Sequence, residues 1–287
     1  MEGGVEPHGG FHDRRAPESA LGDVRVGDIS PPLQAERRLT TSAWPISHAL
    51  EFVAVMAVAQ GLLVIAGSAG GRLIDDLRRL VLSAFGAGTA RLFATTFVLA
   101  LVTVPYVLLC WLVVRSAHRR GLTLAQLTGM RPPPAGPTIG LTAVYIFVVV
   151  LAAAAWGTLL VKLGVQIPNS TYQIARQLRQ APLTLGLLAL VTVSIGPFVE
   201  EVVFRGIVLP SLRVRFGATW AIVGSALLFS VIHFQPLAIP VFFAIGIVLA
   251  LTYLQTRSLW SAIALHSAYN LFVAVAVWAN VFASSGR

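Results

Sequence analysis

Between Pro197 and Gly206 the chain reads PFVEEVVFRG, which sets Glu200, Glu201 and Arg205 inside a run that is apolar on both sides. Two further motifs come later in the chain: FSVIH, carrying Phe229 and His233, and HSAYN, carrying His266 and Asn270. One carboxylate, two imidazoles and an amide are the groups needed to activate water and to meet the oxyanion formed when water attacks a carbonyl. Hydrolysis of an amide is the reaction they fit. Glu200, His233 and His266 could instead hold a divalent metal such as Zn2+, because two histidines and a glutamate around an open position make a hydrolytic zinc site. The usual HExxH helix is absent. A serine triad fits less well: there is no Gly-x-Ser-x-Gly elbow, and the later apolar segments carry no aspartate.

Spacing separates the two glutamates. Glu201 and Arg205 stand at i and i+4 and share a helix face, so they can pair, whereas Glu200 points about 100° away and has no local partner. A structural ion pair is therefore expected at Glu201 and Arg205, and chemistry at Glu200. Phe229 with His233, and His266 with Asn270, repeat the i, i+4 spacing. Gly196-Pro197 lies just ahead of the glutamates, where a proline removes one backbone hydrogen bond and kinks a helix, leaving room for a polar cavity.

The elements that must position these groups are membrane helices. Of 287 residues, 56% are hydrophobic and only 11% charged, with mean hydropathy +0.78, which excludes an ordinary soluble core. About 20 apolar residues cross a bilayer core of about 30 Å. Seven stretches qualify: Trp44 to Ala66, Leu92 to Val114, Thr138 to Val161, Leu183 to Leu209, Ala218 to Phe234, Leu237 to Leu254 and Leu259 to Ala283. An eighth, Leu73 to Ala84, alternates apolar and charged positions and reads as amphipathic and interfacial. Residues 1–43 are polar, with Pro31-Pro32, and read as a disordered tail; residues 44–287 form one membrane domain whose chemistry-bearing part is 183–283. A charge at the centre of a membrane helix costs about 2.5–3.5 kcal/mol even on lenient scales, so charges kept there call for a function.

The net charge of +9 comes from arginine almost alone, Lys162 being the one lysine. In such a chain this is a topology signal, not a nucleic-acid footprint, and the arginine distribution among the loops favours a cytoplasmic N-terminus. Cys110, the single cysteine, falls in an expected span and reads as a buried thiol. Measured from the expected turns, helix rise places Glu200 about 15–20 Å deep, His233 about 23 Å, His266 about 12 Å and Asn270 about 18 Å. All lie toward the middle of the bilayer, within about two helical turns of one another.

In this order and spacing, the three motifs resemble those of the CPBP intramembrane proteases, the CAAX prenyl protease type 2 and bacteriocin-processing group, whose patterns are EExxxR, FxxxH and HxxxN or HxxxD. The resemblance covers roughly Leu183 to Ala283. It implies an all-α, polytopic helical bundle of 7–8 transmembrane helices, with an active-site cavity within the membrane. By position, Glu200 and His233 resemble the residues that activate water, and His266 and Asn270 the pair that holds the oxyanion. Glu201 and Arg205 complete the first motif as supporting residues, and Phe229 shapes the pocket. The family is described both as metalloproteases and as glutamate-dependent proteases, so a divalent metal held by Glu200, His233 and His266 stays open. A peptide or membrane-associated protein substrate is implied, with the lipid bilayer as surroundings; arginine outnumbers lysine twenty to one, which suggests a GC-rich bacterial source and hence a bacterial plasma membrane as location. The substrate itself, prenylated or not, is left open.

Two rivals from other classes use the same residues. Intramembrane Glu, His and Arg also build the relays of proton-coupled transporters, although no internal repeat is visible. A non-catalytic membrane scaffold is the other. Both expect peptide cleavage to be indifferent to Glu200.

Overall fold

A computed structural model describes residues 44–68, 70–165, 175 and 182–283. The expected N-terminal tail, residues 1–43, lies outside the described residues. Among the described residues the regular structure is helical, with no strand. Its first half comprises α1 (Ile46–Ser68), the amphipathic α2 (Gly70–Phe85), the 33-residue α3 (Ala87–Arg119), the short α4 (Leu124–Thr128) and α5 (Ala135–Lys162). Then come α6 (Pro182–Leu190), a π turn (Val191–Ile195), α7 (Gly196–Val203), a second π turn (Phe204–Val208), α8 (Leu209–Val231), a 3-10 turn (Pro236–Ala238), α9 (Ile239–Thr256) and α10 (Leu259–Ala283).

Among the described residues, four helical stretches are long and apolar enough to cross a membrane: Thr138–Lys162, Leu183–Val231, Pro236–Thr256 and Leu259–Ala283; Ile46–Gly61 is a shorter apolar helix. The expected span from Leu92 to Val114 lies inside α3. Exposed apolar stripes run along these helices: Val104, Val107, Leu108 and Trp111 on α3, and Val144, Phe147, Val148 and Leu151 on α5. Each is an i, i+3, i+4, i+7 pattern turned outward, which water would penalise and lipid accommodates. The fold is thus an all-α bundle, and the chain is an integral membrane protein.

One boundary differs from the sequence expectation. Hydropathy and Pro210 place the end of the fourth span at Leu209, with a turn from Pro210 to Gly217, but the helix runs on through Pro210 to Phe216. It reverses at Gly217, whose backbone (φ 79, ψ 174) is not helical. Pro210 comes just after a π turn, as Pro197 does, so its ring enters a widened turn and its missing N–H takes one bond from an otherwise continuous helix. The positive φ of Gly217 suits a residue without a Cβ.

Close approaches hold the C-terminal helices together. A Cβ built on Gly246 of α9 would stand 2.8 Å from Ala226 Cα and 2.9 Å from its Cβ, so α8 and α9 touch nearly backbone to backbone. A Cβ on Gly206 would meet Thr128 Cγ2 at 2.7 Å, which seats α4 against the second π turn. The start of α4 is set by a capping box in which Thr123 and Gln126 exchange backbone and side-chain bonds, and its end by Gly129 (φ 69). The next loop is tied to the α9–α10 turn, where Tyr253 Oη donates to Thr128 O (3.3 Å) and Ser258 Oγ to Arg131 O (2.6 Å). The guanidinium of Arg120 lies 4.0 Å above the Trp44 ring, so the end of α3 and the start of α1 share one side of the bundle.

Candidate active site

Glu200 and Glu201 stand on α7, the eight-residue helix bracketed by the two π turns. A single π turn inside an α-helix shifts the register of the residues beyond it, and such turns often occur at functional sites. In the first, Gly196 N–H reaches back to Val191 O. The next bond in that series would run from residue 197 to Thr192 O, but residue 197 is proline and has no N–H. The freed carbonyl is met from another helix: Asn270 of α10 donates its Nδ2 to Thr192 O at 2.8 Å.

The Glu200 carboxylate is divided between two environments. Its Oε1 accepts from Tyr106 Oη (3.0 Å) and from Gln60 Nε2 (3.3 Å), and Gln60 also donates to the Tyr106 oxygen (3.1 Å). Its Oε2 faces His266 Nε2 at 3.9 Å and His233 Nε2 at 4.0 Å. Glu200 and His266 are each 5% exposed, whereas the His233 side chain keeps 14%, so the histidine after α8 is the more open edge of the group.

Glu201 turns the other way, as the helical spacing expects. Its Oε1 accepts from Arg205 Nη1 (2.8 Å) and from His266 Nδ1 (2.9 Å), and Arg205 Nη2 donates to Gly246 O (2.9 Å). Both members of the pair are fully buried. The ion pair is therefore also the support of His266. Arg205 stacks 4.8 Å over the Phe229 ring, which packs edge-on against Phe204 and contacts both imidazoles, at 4.8 Å from His233 and 5.7 Å from His266. Phe242 stacks on the far side of His233 at 4.3 Å.

Both imidazoles are anchored through Nδ1: His233 donates to Phe229 O (2.7 Å) and His266 to the Glu201 carboxylate. This orientation aims both Nε2 atoms at Glu200 Oε2. Such anchoring is common for metal-ligating histidines, and one carboxylate with two imidazoles is a donor set that zinc accepts. The 3.9–4.0 Å from Oε2 to either Nε2 is wider than the roughly 3.3–3.4 Å between ligand atoms of a tetrahedral zinc with bonds of about 2.0–2.1 Å. Among the described residues no three His, Cys, Asp or Glu side chains converge at metal spacing. One water about 2.8 Å from each of two atoms fits the observed separations.

Glu200, His233 and His266 are thus brought together, with Glu201, Arg205 and Phe229 directly behind them, while Asn270 lies one turn beyond His266 with its amide on Thr192. Sequence reasoning missed Gln60, Tyr106 and Phe242. Gln60 did leave a signal, as a lone amide in the apolar half of α1.

Residues 182–272 match the family described as Rce1-like, type II CAAX prenyl endopeptidase Rce1-like. The match takes in all three motifs, so over this segment the chain is similar to the CPBP intramembrane proteases, as the motifs imply. A Bacillus subtilis (strain 168) protein named "Putative membrane peptidase YdiL" is 28% identical over 89 residues, which are 31% of this chain and 36% of that protein. The chain therefore aligns with about a third of that relative's length. No solved structure matches it.

Proposed function

We propose that this chain is an intramembrane endopeptidase that hydrolyses a peptide bond with water activated by Glu200 and His233. The observation that carries this reading is the aim of Glu200 Oε2 at the Nε2 atoms of two histidines whose Nδ1 atoms are both tied down. Water held between Glu200 Oε2 and His233 Nε2 gives a proton to Oε2 while its oxygen bonds to the carbonyl carbon. The carbonyl oxygen becomes an oxyanion. His266, held at Nδ1 by Glu201, presents its Nε2 edge to that oxyanion. Asn270 has two amide hydrogens; one is on Thr192, and the second remains for the oxyanion. Collapse breaks the C–N bond, and the proton on Oε2 passes to the leaving nitrogen, which closes the balance.

No step needs an ion, and the wide spacing of the three groups supports a glutamate-dependent route over a metal one. The substrate is a peptide or membrane-associated protein, and the Rce1-like match makes a prenylated C-terminus one candidate to test. Arg115, Arg119, Arg120, Arg131, Arg213, Arg215 and Arg257 lie toward the end of the bundle where Arg120 meets Trp44, which supports a cytoplasmic assignment for that face and for the N-terminus. A bacterial plasma membrane is the proposed location.

The test is cleavage of a fluorescence-quenched farnesylated CAAX peptide and of a mixed peptide library by purified protein in detergent. Glu200→Gln should lower kcat by at least about 10²-fold, within the range general bases contribute. A Glu200→Gln variant that cleaves like wild type would end the peptidase reading and favour a transporter or scaffold.

A further inference from the structure

The C-terminal motifs do not complete the site by themselves, because the oxygen of Glu200 that faces away from the histidines is held by two residues of the N-terminal half. We propose that Tyr106 and Gln60 are positioning residues that clamp Glu200 Oε1 and thereby dedicate Oε2 to proton transfer. This clamp rests on the peptidase reading.

The clamp is assembled from three helices. Tyr106 comes from α3 and Gln60 from α1, and they are separated by 94 and 140 positions from Glu200 on α7. Gln60 Nε2 donates across the narrow angle between Glu200 Oε1 and the Tyr106 oxygen, and the Tyr106 hydroxyl donates its own hydrogen to Oε1. The three groups form a closed polar triangle in an otherwise apolar setting, with Tyr106 9% exposed. The Tyr106 ring lies beside Gly196, where a Cβ would stand 3.6 Å from the Tyr106 hydroxyl oxygen, an ordinary contact.

A free carboxylate can present either oxygen by rotating its terminal torsion, which is broad and two-fold. Two donors on Oε1 remove that freedom. The proton taken from water therefore resides on Oε2, the oxygen beside His233 and His266, and from there reaches the departing amine. Without the clamp the carboxylate would still be present but would sample orientations from which the water is out of reach. A misplacement of about 1 Å can cost about 10²-fold in rate.

Tyr106→Phe removes one oxygen and keeps the ring against Gly196; Gln60→Leu removes the amide at similar volume. Each would be purified beside wild type and Glu200→Gln and assayed with the farnesylated peptide and the peptide library, kcat and KM being measured separately. Two variants keep the test available if one fails to fold. The expected result is a fall in kcat of about 10- to 100-fold in each folded variant with KM within about twofold. An unchanged kcat, or a loss confined to KM, would overturn the clamp. A second readout needs no turnover: infrared carboxylate bands assigned to Glu200 by the wild-type minus Glu200→Gln difference should shift in Tyr106→Phe, and bands that stay in place would equally overturn it. Failure of the underlying reading looks different, because Glu200→Gln would then cleave normally.

Discussion

The side-chain amide of Asn270 donates at 2.8 Å to the carbonyl of Thr192, the carbonyl that Pro197 leaves without a π-turn partner. Proline, π turn and asparagine are thus parts of one device. The kink widens the helix ahead of Glu200, and a residue of α10 repairs the hydrogen bond that the kink costs.

The expected consequence of Asn270→Ala is a double loss. Interhelical hydrogen bonds in membranes are worth about 0.6–2 kcal/mol, so unfolding in detergent should become easier by that amount. Cleavage should fall as well, because the second amide hydrogen is proposed to meet the oxyanion. Asn270→Leu controls for the volume removed: it keeps much the same shape of side chain but has no donor for either oxygen, so both losses should persist. A variant that kept full activity would exclude Asn270 from the oxyanion site and leave it a purely structural cap.

Chelation supplies an independent check on the chemistry. Glu200 Oε2 stands 3.9–4.0 Å from both Nε2 atoms, wider than a zinc ligand set, and Oε1 is already occupied by Tyr106 and Gln60. Cleavage should therefore survive prolonged dialysis against EDTA or phenanthroline, and metal analysis of the active protein should find well under one ion per chain. Activity lost on chelation and restored by Zn2+ would reverse this reading and assign the three residues as ligands.

The Glu201–Arg205 pair makes stability and activity separable. Both side chains are fully buried, and truncating one partner of such a pair leaves an uncompensated charge, at a cost of about 3–5 kcal/mol. Arg205→Met alone should therefore unfold readily. Arg205→Met combined with Glu201→Met removes both charges and should recover much of the lost stability, as measured by chemical denaturation in detergent. It should not recover cleavage, because Glu201 Oε1 also holds His266 Nδ1 at 2.9 Å. A double variant as active as wild type would show that His266 needs no carboxylate behind it.

The cost of polar groups in a membrane decides which parts of the site are legible in the sequence. Glu200, His233 and His266 stand out because charged or ionisable groups in apolar helices are costly, and their i, i+4 companions come with them. The partition of Glu201 toward Arg205 follows from helical spacing alone. Tyr106 and Gln60 are not reachable in this way: tyrosine and glutamine in an apolar helix carry no net charge, and only the tertiary arrangement brings α1 and α3 to α7. The end of the fourth span fails for a local reason. Pro210 reads as a helix stop, but a π turn just ahead of it lets the helix continue to Phe216 before Gly217 turns the chain. The anchoring of His266 through Nδ1 is likewise a property of the assembled fold, since its acceptor Glu201 comes from another helix, whereas His233 uses the local carbonyl of Phe229 four residues back.

The tight contact of Gly246 with Ala226 yields a prediction with its own control. A Cβ at Gly246 would stand 2.8 Å from Ala226 Cα and 3.2 Å from Ala226 O, and backbone atoms cannot step aside as a flexible side chain can. Overpacking of this kind costs about 1–3 kcal/mol, so Gly246→Ala should lower stability by that much. It should also reduce cleavage, because Gly246 O is the acceptor of Arg205 Nη2 and any shift of α9 is passed through Arg205 and Glu201 to His266. Gly61→Ala is the comparison: its nearest foreign atom would be Phe234 Cε2 at 3.6 Å, an ordinary contact on the edge of a ring. That variant, with alanine also the better helix former in α1, should be as stable as wild type or slightly more so. Equal effects from the two substitutions would mean that α8 and α9 can part without cost, and the transmission from Gly246 to His266 would fall with it.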